Sequence, residues 1–135
     1  MALNLNYNAA IRNAGLDAIT TAVGASGKLK IYSGTQPTGV ATALGAQVLL
    51  ASLALSATFA AGASGGVLTA SAITNDSSAD ATGTAAWGTL TTSADVRIVD
   101  FTVGTSGTDM IIDSTSITSG QVVSCSSFVI TAGNS

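Results

Sequence analysis

Asp76 and Asp80, set with Asn75 and Ser77 in one polar stretch, form the densest group of side-chain oxygens in this chain. Oxygen donors are what a calcium ion takes, about six to eight of them with several carboxylates. The stretch lacks the Asp-x-Asp-x-Asp-Gly spacing, so Asp76 and Asp80 are weak metal candidates, and solvated turn residues are the expectation. Asp109 and Asp113 stand at even spacing on a short strand, and surface strand ends account for them. Cys125, between Ser124 and Ser126, matches no nucleophile motif and reads as a small core residue among apolar neighbours. Trp87 is the sole tryptophan. It suits either a core position or the flat platform of a carbohydrate-binding β-module, and core is the expectation.

What the chain lacks narrows the chemistry further. It has no histidine, and all seven acidic residues are Asp. Histidine-based triads and imidazole metal sites are thereby excluded, and any carboxylate catalysis would rest on Asp alone. The glycines near Ser64 and Ser106 form neither Gly-x-x-x-x-Gly-Lys nor Gly-x-Gly-x-x-Gly opening a helix. Lys and Arg number four against a net charge of -3, too few for a basic stripe, so direct nucleic-acid binding is not expected. One cysteine cannot form an internal disulfide. A non-enzymatic chain without cofactor is the expectation.

Composition points the same way. Charged residues make up 8% of 135 residues and aromatics 4%, against 47% hydrophobic. Ser and Thr supply roughly a quarter of the chain, so hydroxyls must solvate the surface in place of ions. Such side chains are short and lose little entropy when covered, which suits a protein packed against others. The first residues, Met1-Ala2-Leu3-Asn4-Leu5-Asn6, show no basic region followed by an apolar one, so synthesis in the cytoplasm without export is expected.

The elements that must position these residues follow from periodicity. Leu3, Leu5 and Tyr7 alternate with Asn4 and Asn6 as an extended arm or short strand. Asn8 then offers an N-cap for a helix from Ala9 to Val23, with Gly24 as the stop. Residues 1–24 are read as arm and helix, and 25–135 as one β-domain. The segment Lys28–Tyr32 alternates, with Leu29 and Ile31 on one side and Lys28 and Lys30 on the other. Gly34 and Pro37 break that run. Leu49, Ala51, Leu53, Leu55, Ala57 and Phe59 then occupy alternate positions of what reads as the central core strand. The stretch from Val40 to Ala63 carries no charge and is long enough for a membrane helix. Its small residues and period of two favour a buried strand instead.

Further strands are expected at Val67–Ile73, Thr84–Thr91, Asp95–Val103, Asp109–Asp113 and Gln121–Thr131, with an exposed polar loop from Thr74 to Gly83. The fold class is therefore mainly β: an antiparallel β-sandwich or barrel of about seven to eight strands with one N-terminal helix. Ile31, Leu49, Leu53, Leu55, Val99, Phe101 and Phe128 should be mostly buried.

The nonapeptide Leu29-Lys30-Ile31-Tyr32-Ser33-Gly34-Thr35-Gln36-Pro37 resembles small virion structural proteins of tailed bacteriophages and prophages. The likeness continues through Leu49–Ser56, Gly65–Ala70 and Asp76–Trp87, about two-thirds of the chain, as low-complexity β-pattern. After Trp87 this chain has Gly88-Thr89 where similar sequences are expected to carry a bulkier or basic residue. The resemblance implies a structural protein of the particle, with head decoration or cement (minor capsid) proteins the nearest in size and character. It implies a place on the outer surface of the head, against the major capsid protein. A tail, neck or fibre-associated part of the virion is the alternative. Sister subunits are expected as partners too, as a homotrimer, with no membrane and no direct nucleic-acid contact. Leu3, Leu5, Tyr7 and Ile11 are the candidate interface residues, being apolar and adjoining a helix too weak to stand alone.

Overall fold

The structure, a computed structural model, describes residues 8–60 and 62–131. It contains α1 (Ala9–Val23), β1 (Lys28–Tyr32), β2 (Leu49–Leu55), β3 (Val67–Thr69), β4 (Ile73–Thr74) and β5 (Gly83–Thr84). Then follow β6 (Trp87–Thr91), β7 (Arg97–Gly104), β8 (Met110–Ile112), β9 (Ser116–Ile117) and β10 (Cys125–Thr131). The mainly β class with one N-terminal helix stands. Leu3, Leu5 and Tyr7 lie outside the described residues.

The helix begins where its cap dictates. The Asn8 Oδ1 accepts from the Ile11 N–H at 2.9 Å, and Gly24 ends the helix at φ 69° with its N–H on the Thr20 carbonyl. With Gly15, Thr20 and Thr21 in its length, α1 needs a surface to lie on. Leu16 and Val23 supply it by joining the same buried cluster as the strands. Asn13 and Asp17 accept from backbone outside the helix. The Asn13 Oδ1 takes the Gly66 N–H at 2.9 Å, and the Asp17 Oδ1 takes the Ala63 N–H at 2.8 Å. Two polar side chains thus staple the helix to the turn before β3.

The main sheet has the order β3-β10-β8-β7-β6-β1-β2-β4, and β5 pairs with β9 in a small second sheet. Its two end strands, β3 and β4, are consecutive in the chain, separated only by Ala70-Ser71-Ala72. The sheet therefore curls until both ends meet in one segment, as in a barrel. Val67–Ile73 was expected as a single strand; it is one stave bent between two neighbours. Its first part pairs with β10 and its last part with β2. At the bend, the Ala70 N–H donates to the Phe128 carbonyl at 3.1 Å and the Ser71 N–H to the Phe59 carbonyl at 2.8 Å. All pairings are antiparallel except β7 with β8. There the Asp109 carboxylate accepts from both the N–H and the hydroxyl of Thr102, drawing Met110 alongside Val103.

The centre of the sheet differs from expectation. The strand read as central, β2, lies next to the end, while β6 is flanked by full-length partners and all five of its residues are buried. The reason is visible in Gly88. A Cβ there would stand 2.6 Å from the Phe101 ring and 2.8 Å from the Lys30 carbonyl, so only glycine lets Phe101 close over the strand. Ile31, Leu53, Leu55, Phe101 and Phe128 are buried as expected; Leu49 and Val99 are only half-buried. A bulge explains Leu49. Ile31 pairs with Ala51 but Tyr32 with Leu49, so Leu50 is the extra residue. That slip buries both Leu50 and Ala51 and puts Leu49 on the opposite side from Leu53. A second bulge, with Ile98 as the extra residue beside Val99, does the same in β7.

No helix among the described residues is long and apolar enough to cross a membrane. The charge-free stretch from Val40 instead forms an exposed loop, then β2.

Candidate functional site

Two separate buried groups lie on the two sides of the sheet. The larger is the apolar core, with Leu29, Ile31, Leu53, Leu68, Leu90 and Met110 among its inaccessible residues. The other is polar and aromatic and is built by register. β1, β6 and β7 place Tyr32 beside Trp87, Lys30 beside Thr89, and Thr89 beside Asp100. Tyr32 and Trp87 stack at 4.7 Å between centroids with planes 13° apart. The Arg97 guanidinium lies over the indole, 5.6 Å from its centre, a cation–π contact. Arg97 also makes a two-point pair with Asp100, the side chains being 13% and 5% exposed. Thr89, fully buried, donates to the Val99 carbonyl at 3.2 Å.

Trp87 is 1% exposed. It is buried, as expected, though in the second group and not in the apolar core, and the ring offers no platform to a sugar. Its Nε1 is buried and has no hydrogen-bond partner among the described residues.

Arg97 reaches beyond this group to the loop between Ser33 and Val48. Its Nη1 donates to the Thr42 carbonyl at 2.5 Å and its Nη2 to the Gly39 carbonyl at 3.3 Å. The loop closes at its base through the Ser33 N–H on the Val48 carbonyl at 3.0 Å. Gln47 braces it from within, donating to the Thr35 carbonyl and accepting from the Gly45 N–H. Every residue from Val40 to Ala46 is exposed. Val40, Leu44 and Val48 stand 40%, 38% and 47% exposed, large apolar side chains in a segment without charge.

The residues singled out in the sequence fall in different places. Ile11, in the first turn of α1, is 56% exposed. Asp76 is no solvated turn residue. Its carboxylate accepts from the Ser52 N–H of β2 at 2.9 Å and from the Ser78 N–H at 3.0 Å. Its backbone forms a bridge with Val123 in both directions, at 3.0 and 2.8 Å. Asp80 is exposed and engages through its backbone, the N–H donating to the Leu50 carbonyl at 2.7 Å. The 74–83 loop is therefore stitched to both β2 and the chain before β10, with Ala79 buried beneath it. No group of three or more metal-ligating side chains occurs among the described residues. Asp109 serves the β7–β8 pairing, and Asp113 is exposed.

Cys125 is half-buried, and burial pushes its thiol above the ordinary range. It lines a cleft of about 290 Å³ with Ser71, Ile73, Ser126 and Phe128, where the bent stave parts from β10. At the β6–β7 turn, Asp95 takes ion pairs from Lys30 at 2.8 Å and Lys28 at 3.0 Å. Lys30 and then Lys28 hold its carboxyl below the usual value.

Sequence reasoning missed the Arg97 group. The only available signal was a lone arginine three residues before an aspartate in a strand. No family model matches the chain, and neither the curated proteins nor the solved structures contain a match to it.

Proposed function

We propose that this chain is a non-enzymatic structural protein of a tailed-bacteriophage particle, a decoration protein seated on the outside of the head against the major capsid protein. The observation that carries the reading is the exposed loop Val40–Ala46, which presents apolar side chains among Gly, Ala and Thr with no charge. A surface of that kind, short-chained and neutral, loses little side-chain entropy on being covered and holds no ions to desolvate. The nonapeptide Leu29–Pro37, whose likeness to virion proteins was drawn above, forms β1 and the entry to this same loop. Ile11 adds a second exposed apolar position on the helix. Sister subunits, as a trimer at local threefold positions of the shell, complete the proposed assembly.

The test is co-sedimentation of the purified protein with undecorated capsids of the phage or prophage that encodes it, followed by quantitation of copies per particle. Hundreds of copies support head decoration; tens or fewer place the protein in the tail or neck; no association defeats the reading. Val40→Asp with Leu44→Asp should keep the circular-dichroism spectrum and lose association. Removing residues 2–7 tests the arm, and the cut must stop short of Asn8 because that residue caps α1.

A further inference from the structure

Among the described residues, the loop between Ser33 and Val48 is joined to the Trp87 group by hydrogen bonds from a single side chain. Its other hydrogen bonds among the described residues are internal: Ser33 to Val48, Gln47 to Thr35, Gly45 to Gln47, Thr42 to Gly39, and the Thr38 and Thr42 hydroxyls with each other. Among the described residues, Arg97 alone reaches residues 34–47 from elsewhere, through two carbonyls. The loop buries little of itself, with only Pro37, Gly39 and Gln47 half-buried between Gly34 and Gln47.

We propose that residues 34–47 are a latched cover over the Trp87–Tyr32 stack, with Arg97 as the latch. Arg97 is suited to that role because its position does not depend on the loop. Asp100 holds the guanidinium at two points and the indole lies beneath it, so the remaining N–H groups stay aimed when the loop leaves. The closed state gains two charge-assisted hydrogen bonds and shields the aromatic pair from water. The open state gains chain entropy from a loop containing Gly34, Gly39 and Gly45. It also hydrates the Trp87 Nε1–H, which has no acceptor among the described residues when the cover is shut. Gly34, at φ 86°, stands at the entry to the loop, where a hinge must absorb the change. These opposed contributions leave the cover free to open without unfolding the sheet, since no residue of 34–47 belongs to the apolar core. The inference is independent of the virion reading.

Trp87 is the sole tryptophan, so its fluorescence reports the cover directly. The experiment compares the parent with Arg97→Gln by acrylamide quenching of Trp87 and by elastase cleavage within Val40–Ala46. In the variant, cleavage should run at least about tenfold faster and the quenching constant at least double, with the circular-dichroism spectrum unchanged. A folded variant with parental cleavage and quenching overturns the proposal. If Arg97→Gln does not fold, a chain with residues 36–46 replaced by Gly-Ser-Gly decides. A folded, quenchable Trp87 in that chain supports the latched cover. A folded chain with Trp87 still shielded overturns it, and so does failure to fold, because the loop would then be part of the fold's own framework.

Discussion

Replacing Asp76 by Ala separates a structural carboxylate from a solvated one. The side chain holds two N–H groups. Ser78 is exposed, and water replaces the lost acceptor there at little cost. Ser52 is different: its N–H sits in β2 in a partly buried setting, where an unpaired donor costs about 1–3 kcal/mol. The backbone bridge between Asp76 and Val123 survives the substitution and limits the damage. The expected loss is therefore about 2 kcal/mol, and for a chain of this size that is roughly a 6–10 °C fall in Tm. Thermal denaturation followed by circular dichroism reads it, with Asp80→Ala as the control. Asp80 is exposed and its backbone carries its contact, so its variant should stay within about 0.5 kcal/mol of the parent. A Tm for Asp76→Ala within a degree of the parent, or equal losses in the two variants, would refute the reasoning.

Three other outcomes follow from the packing and charge. Leu53→Ala, at a fully buried position of β2, should cost about 2–5 kcal/mol by chemical denaturation. Gly88→Ala should destabilise by about 1–3 kcal/mol, because its methyl meets the Phe101 ring and the Lys30 carbonyl; a neutral result would show that Phe101 can move aside. Asp95 has a depressed folded-state pKa, so its ion pairs stabilise the fold above the unfolded value near 3.8. That contribution is lost as pH falls through the folded value. Asp95→Asn should accordingly be less stable than the parent at neutral pH, equal to it in strong acid, and closer to it in high salt, as Tm against pH would report.

Local rules recovered much of this molecule. The helix Ala9–Val23 was legible because Asn8 and Gly24 are chemical signals that act within one turn. The alternation of Lys28–Tyr32 was legible because one face is dry and the other carries two lysines. What escaped was set by distant partners. Nothing near Leu50 announces that Ile31 and Tyr32 will pair around it, yet that bulge decides which leucines are inside. The division of Val67–Thr74 between β10 and β2 depends on strands on both sides closing at once. The carboxylate of Asp76 looked solvated because Ser52, which it binds, is far away in the chain. The Arg97 group was hidden for the same reason, its parts coming from β1, β6, β7 and the loop before β2.

The meeting of both sheet ends in one bent stave also governs how the chain can be made. β10 lies between β3 and β8, so of the described strands the last to leave the ribosome is the one that joins the β3 part of the stave to β8. Until Cys125–Thr131 emerges, β3 and β8 each expose an unsatisfied edge, and the earlier strands can form only an open sheet. Closure of the sheet therefore waits for synthesis of residue 131. A nascent chain halted before β10 is a species with two sticky edges, prone to pair with its neighbours on the same message.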